Sequence, residues 1–174
     1  MSAPAQSAEG GPEGEAAVPQ LPRLEDVQEL IFGLVGQPVT LTRGGKIRSN
    51  QGGTVAIYVD DQERMAAFAI SDVAFAAYCG AALAMVPAKE AHRVVLAQKL
   101  DENLWENYQE IVNVAASLFC NTGPHVRLKE LLPLSRELPE DVIFALRRPS
   151  ARLTMRAEIE GFGQGQLALA VGGA

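Results

Sequence analysis

From Leu24 onward, apolar residues fall at positions 24, 27, 30, 31, 34 and 35, the spacing that winds onto one face of a helix. Gly36 and Pro38 end that helix, since neither continues helical hydrogen bonding well. The pattern then breaks into short apolar or alternating runs, Val39 to Thr42, Thr54 to Val59 and Arg64 to Ile70, separated by Gly44-Gly45 and by Asp60-Asp61-Gln62-Glu63. Such runs predict antiparallel strands in a meander. Ser71 and Asp72 offer caps for a helix over Val73 to Met85, whose alanine content predicts close packing against a sheet. Pro87 opens a further helix reaching Leu100, and Asp101 is placed to cap another over Asn103 to Cys120, stopped by Asn121, Thr122, Gly123 and Pro124. Val126 to Leu132, Val142 to Arg147, Arg152 to Ile159 and Gln166 to Val171 close the chain as strands. The alternation in Arg152 to Ile159 marks a half-exposed hairpin strand. Gly161-Phe-Gly-Gln-Gly turns that hairpin, and because it opens no helix it lacks the aligned N–H groups that grip phosphate.

The order helix, strands, helices, strands predicts an α+β two-layer sandwich, a largely antiparallel sheet covered on one face by long helices. The 174 residues suit one domain over 23–174, preceded by a disordered leader over 1–22 that is rich in Ala, Gly, Pro, Glu and Ser. That leader lacks the basic start and apolar stretch of a signal peptide. The longest apolar run, Val73 to Val86, is too short to span a bilayer, which needs about 20 residues.

A net charge of −6 with no basic run argues against nucleic acid or an anionic membrane as partner, and favours a protein or a neutral small molecule. Arg147, Arg148 and Arg152 fit either a solvated strand edge protected by charge or contact with an acidic partner. Cys79 and Cys120 lie in apolar surroundings without a ligand pattern, as buried thiols of a protein in a reducing cytoplasm do. His92 and His125 fall in different elements with no ligand neighbours, so no metal site is expected.

The helix over Asn103 to Cys120 carries the one pattern that invites a chemical reading. Leu104, Tyr108, Ile111, Ala115, Leu118 and Phe119 form its apolar face. Glu106, Glu110, Asn113 and Ser117 line up opposite, within about 60° of one another at 100° per residue. A solvated stripe normally mixes in Lys or Arg for i, i+4 support; this one has neither, and Glu106 and Glu110 repel as a like-charged pair. Asn113 is a weak mid-helix residue, which adds to the oddity.

With an acidic residue four positions earlier and the small residues Ala115, Ala116 and Ser117 after it, Glu110-Ile-Val-Asn113 resembles the signature helix of the CheC, CheX and FliY group of chemotaxis phosphatases. The order of elements from Leu24 to Val171 is similar too. One copy of the signature is nearer the single-site CheX type. Glu106 stands where the group has Asp or Ser, Ser117-Leu118 where it often has Gly-Asn, and Pro133 and Pro139 flank the place of a downstream proline. The resemblance implies catalysis by Asn113, which would hold water in line with the aspartyl phosphate of a response-regulator receiver domain. Glu110 would anchor the receiver through a lysine, and Glu106 and Ser117 would flank that contact. No cofactor is implied in this chain, since the receiver brings its own Mg²⁺. The same fold also serves a noncatalytic adaptor that binds a receiver or another signalling protein, or a second copy of the chain along a sheet edge.

Overall fold

The computed structural model describes residues 18–48, 51–121, 123–135 and 137–172. Its elements are α1 (Leu24–Val35), β1 (Val39–Arg43), β2 (Thr54–Asp60), β3 (Met65–Ser71), α2 (Val73–Leu83), α3 (Ala88–Ala97), α4 (Glu102–Ala115), α5 (Ser117–Cys120), β4 (Val126–Pro133), α6 (Glu140–Arg147), β5 (Ala151–Ile159) and β6 (Gly163–Val171). The six strands form one sheet in the order β1-β5-β6-β3-β2-β4, and every pairing is antiparallel. The expected α+β class is therefore what the chain adopts. The leader expected over 1–22 falls outside the described residues up to residue 17; Pro19 is buried beside Gly123, and Leu21 packs against the core.

The long helices cover one face. Alternate residues of the strands, including Tyr58, Ala69, Met155 and Leu169, meet α1, α2 and α4 there in the larger core. Small residues make this contact close. Gly165 lies inside β6, where an added Cβ would come within 2.3 Å of the Phe75 backbone nitrogen, so only glycine lets the start of α2 lie on that strand. Asp72 locks the junction: its Oδ1 accepts from Phe75 N at 2.8 Å and from Gln166 N at 3.1 Å. Burial nevertheless raises the Asp72 pKa above 3.8, outweighing those N–H donors.

Three expectations need correction. Val142 to Arg147, expected as a strand, is helix α6, which Pro139 begins and Glu140 and Asp141 support in the first turn. Its buried Val142 and Ala145 pack on the opposite face of the sheet with Val55, Ile57, Phe68 and Ile70, a second, smaller core. The helix expected over Asn103 to Cys120 is divided at Ala116 into α4 and α5. Arg152 does not guard a strand edge, because β5 is interior, paired with both β1 and β6. The edge strands are β1 and β4. At β1 the outward Leu41 N–H donates to Gln28 Oε1 of α1 at 2.9 Å, and β4 exposes Arg127, Lys129 and Glu130.

Candidate functional site

Helix α4 is held on its inner side by several independent contacts. Asp101 Oδ1 accepts from Leu104 N at 2.9 Å and caps the first turn. Leu104, Tyr108, Ile111 and Val112 are buried. α4 crosses α2 at Gly80, where an added Cβ would stand 2.8 Å from the Leu104 carbonyl oxygen. Tyr108 meets Phe75 edge-on, with ring centroids 6.0 Å apart.

Tyr58 explains where α4 stops. Its buried hydroxyl donates to the Val112 carbonyl at 2.6 Å, and the Ala116 N–H donates instead to Asn113 O at 3.3 Å. The last turn tightens there, and α5 continues after a single turn residue. Desolvation raises the pKa of Tyr58 and of Tyr108, so both phenols stay protonated at neutral pH. Tyr58 donates; among the described residues the Tyr108 oxygen and Asn107 Nδ2 have no hydrogen-bond partner of good geometry, although Thr54 and Ser71, which bond each other, lie close enough to that phenol to offset part of its desolvation.

The outer side is different. Glu106, Glu110, Asn113 and Ser117 are all exposed, in the line the helical spacing predicts. Among the described residues, Glu106, Glu110 and Asn113 make no side-chain hydrogen bond and no ion pair. Ser117 is partly committed, since its Oγ donates to Val114 O at 2.9 Å. Glu102 and Gln109 share this exposed face, and Val114 stands 43% exposed next to Asn113. The same angular count places Glu102 and Gln109 within about 60° of Glu106, so the stripe is wider than the four residues first picked out. Arg93 bonds Glu90 and reaches Asp101 at 3.6 Å, neutralising the capping end rather than the stripe.

Other candidates resolve into local roles. His92 Nε2 lies 2.6 Å from Phe162 O and its ring meets Tyr78 edge-on, tying α3 to the β5–β6 turn. His125 pairs with Asp61 on the surface. No group of three or more metal-ligating side chains occurs among the described residues. Cys79 is buried with its thiol pKa pushed up by desolvation, while Cys120 is half-buried with its Sγ near Ala116 O and Val126 O. The turn of the terminal hairpin is shorter than expected, Glu160 to Phe162, and the glycines after it belong to β6. An apolar cleft of about 380 Å³ opens at the start of α4, lined by Val73, Leu100, Trp105 and Leu134. Trp105 thus packs at a rim. No helix among the described residues is long and apolar enough to cross a membrane.

An exposed amide and two carboxylates on one helix, without a side-chain partner among the described residues, suit contact with another molecule better than self-contained chemistry. The amide both accepts and donates without carrying charge, and the carboxylates attract cations.

No protein-family model and no curated protein matches the sequence. Solved structures do match. The FliM middle domain from H. pylori aligns with a TM-score of 0.53 over 85% of this chain and 84% of that one, at 6% identity. A chain of the FliM–SpeE complex from H. pylori gives 0.55 over 85% of this chain and 80% of that one, at 5% identity. FliY from Thermotoga maritima gives 0.51 over 83% and 81%, at 11% identity. The chain has the fold shared by FliY and the FliM middle domain.

Proposed function

We propose that the outer face of α4 docks the receiver domain of a response regulator and promotes hydrolysis of its aspartyl phosphate. One observation carries the reading: Glu110 and Asn113 stand exposed, without a side-chain partner among the described residues, in the Glu-x-x-Asn spacing, on a helix whose inner side is fixed by Gly80, Asp101 and Tyr58. The FliY-like fold agrees with it.

In this scheme Glu110 anchors the partner through a lysine, and Asn113 reaches the acyl phosphate. The Asn113 amide oxygen accepts from a water molecule and its NH₂ group orients that water or a phosphoryl oxygen, without a charge that would repel the phosphoryl group. Water attacks phosphorus, the bond from phosphorus to the aspartate oxygen breaks with its electrons leaving on the carboxylate, and the proton of the water ends on inorganic phosphate or solvent. The Mg²⁺ that neutralises phosphoryl charge belongs to the receiver. Glu106 adds negative charge to the docking face, and Ser117 borders it.

A noncatalytic adaptor is the second reading, favoured by Glu106 at the first signature position and by the Ser117 hydroxyl being spent on Val114 O. Loss of an acid-labile phosphoryl label from candidate receivers separates the two. Phosphatase action predicts that the wild-type chain speeds loss and that Asn113→Ala removes most of the acceleration, roughly 100-fold where positioning dominates. Receivers that bind yet lose label at their intrinsic rate with both proteins would establish the adaptor.

A further inference from the structure

Among the described residues, the second face of the sheet is only partly covered. α6 lies over β2, β3 and the later part of β6, and beyond it β5 turns Arg152, Thr154, Arg156 and Glu158 outward, in alternation with buried Leu153, Met155, Ala157 and Ile159. Thr42 of β1 and Gln166 of β6 flank Arg156 in register. The chain after β1 folds over the same surface: Lys46 N–H donates to Gln166 Oε1 at 2.6 Å, and an added Cβ on Gly45 would meet Arg156 Cγ at 3.3 Å. Arg147 and Arg148 end α6 immediately before β5, with Arg148 over the exposed Phe144 ring.

Lys46, Arg147, Arg148, Arg152 and Arg156 thus gather on one side of a chain of net charge −6. Among the described residues none of them forms an ion pair, whereas Arg23, Arg64, Arg93 and Arg127 all do. Clustered like charges repel until a partner neutralises them. Glu158 and Glu160 limit the patch at the far end of β5.

We propose that the part of this face left exposed along β5 by α6 and residues 44–48, among the described residues, is a docking surface for an acidic protein segment lying extended along β5, on the opposite side of the sheet from α4. Arg152 and Arg156 point the same way with Cα atoms about 13 Å apart, two same-face repeats of an extended segment, so every second outward side chain of that segment meets an arginine. Their guanidinium forks engage carboxylates bidentately, and Thr154 adds a neutral hydrogen-bonding group between them. A long polyanion such as nucleic acid, or an anionic bilayer, meets the net negative charge of the whole chain. A short segment held within the screening length of about 8 Å is governed by the local cations.

The test is fluorescence anisotropy with a fluorescein-labelled peptide of alternating Glu and Ser, roughly twelve residues long, beside its Gln-Ser counterpart. The Glu-Ser peptide is expected to bind the wild-type chain at low salt and the Gln-Ser peptide not to. Arg152→Glu with Arg156→Glu lowers affinity by about 10-fold or more, while Arg23→Glu with Arg127→Glu, an equal change in net charge at paired arginines, costs less than about 3-fold. Both pairs are exposed, and unchanged melting temperatures show that the variants fold. The proposal is overturned if the Glu-Ser peptide fails to bind, if the two double variants lose affinity equally, or if phosphatidylserine vesicles or a single-stranded oligonucleotide bind that face more tightly than the peptide.

Discussion

The two sides of α4 obey opposite rules. Inward, every position is constrained: Gly80 admits no side chain, Tyr58 takes the Val112 carbonyl, and Leu104 and Ile111 are buried. Outward, the side chains of Glu106, Glu110 and Asn113 bond to nothing among the described residues, and the two carboxylates repel. A helix fixed on one side and unspent on the other is a rigid platform, and it separates what residues do for stability from what they offer a partner.

Changes on the inner side should cost most. Gly165→Ala and Gly80→Val force a Cβ into backbone atoms at 2.3 and 2.8 Å, and we expect losses of about 3 kcal/mol or failure to fold, read by chemical denaturation. The two buried tyrosines should then part company. Tyr58→Phe leaves the Val112 carbonyl without its donor and costs about 1–3 kcal/mol, whereas Tyr108→Phe removes a hydroxyl with no well-aligned partner among the described residues and leaves stability within about 0.5 kcal/mol or raises it. Equal losses would mean that the Tyr108 hydroxyl is bonded after all.

A smaller effect sits at Asp72, where α2 and β6 join. Burial raises its folded-state pKa above the 3.8 of the free group, so the folded state holds the proton more tightly than the unfolded chain does. The stability linked to that proton is full below about 4 and is lost as pH rises through the folded value. Asp72→Asn keeps an oxygen acceptor for Phe75 and Gln166 and cannot ionise. Its melting temperature relative to wild type should therefore climb as pH is raised from about 3 to 7; a difference that stays flat would contradict the burial argument.

Much of this platform was legible in the sequence. The 3.6-residue period gave both faces of α4, Asp101 gave its cap, and the alternation in β5 named its buried residues. What was not legible depends on contacts distant in sequence. The break at Ala116 follows from Tyr58, 54 residues before Val112 in the chain. Val142 to Arg147 is a short apolar run, which suits strand and helix alike until Pro139, Glu140 and Asp141 are given weight. Gly165 read as turn glycine because the close approach of α2 has no local signature, and Arg152 read as an edge charge because strand order is set by pairing.

The outer side should show the smallest effect on stability and the largest on partners. Glu110→Lys exchanges a repulsive i, i+4 pair for an attractive one and should stabilise the chain by about 0.3–0.5 kcal/mol. It also reverses the charge proposed to anchor a receiver lysine. The most direct measurement is therefore a titration of beryllofluoride-activated receiver domain into wild-type and Glu110→Lys protein. Docking through Glu110 predicts at least about 10-fold weaker binding by a variant that melts no lower than wild type. Equal affinity in the two proteins would contradict it.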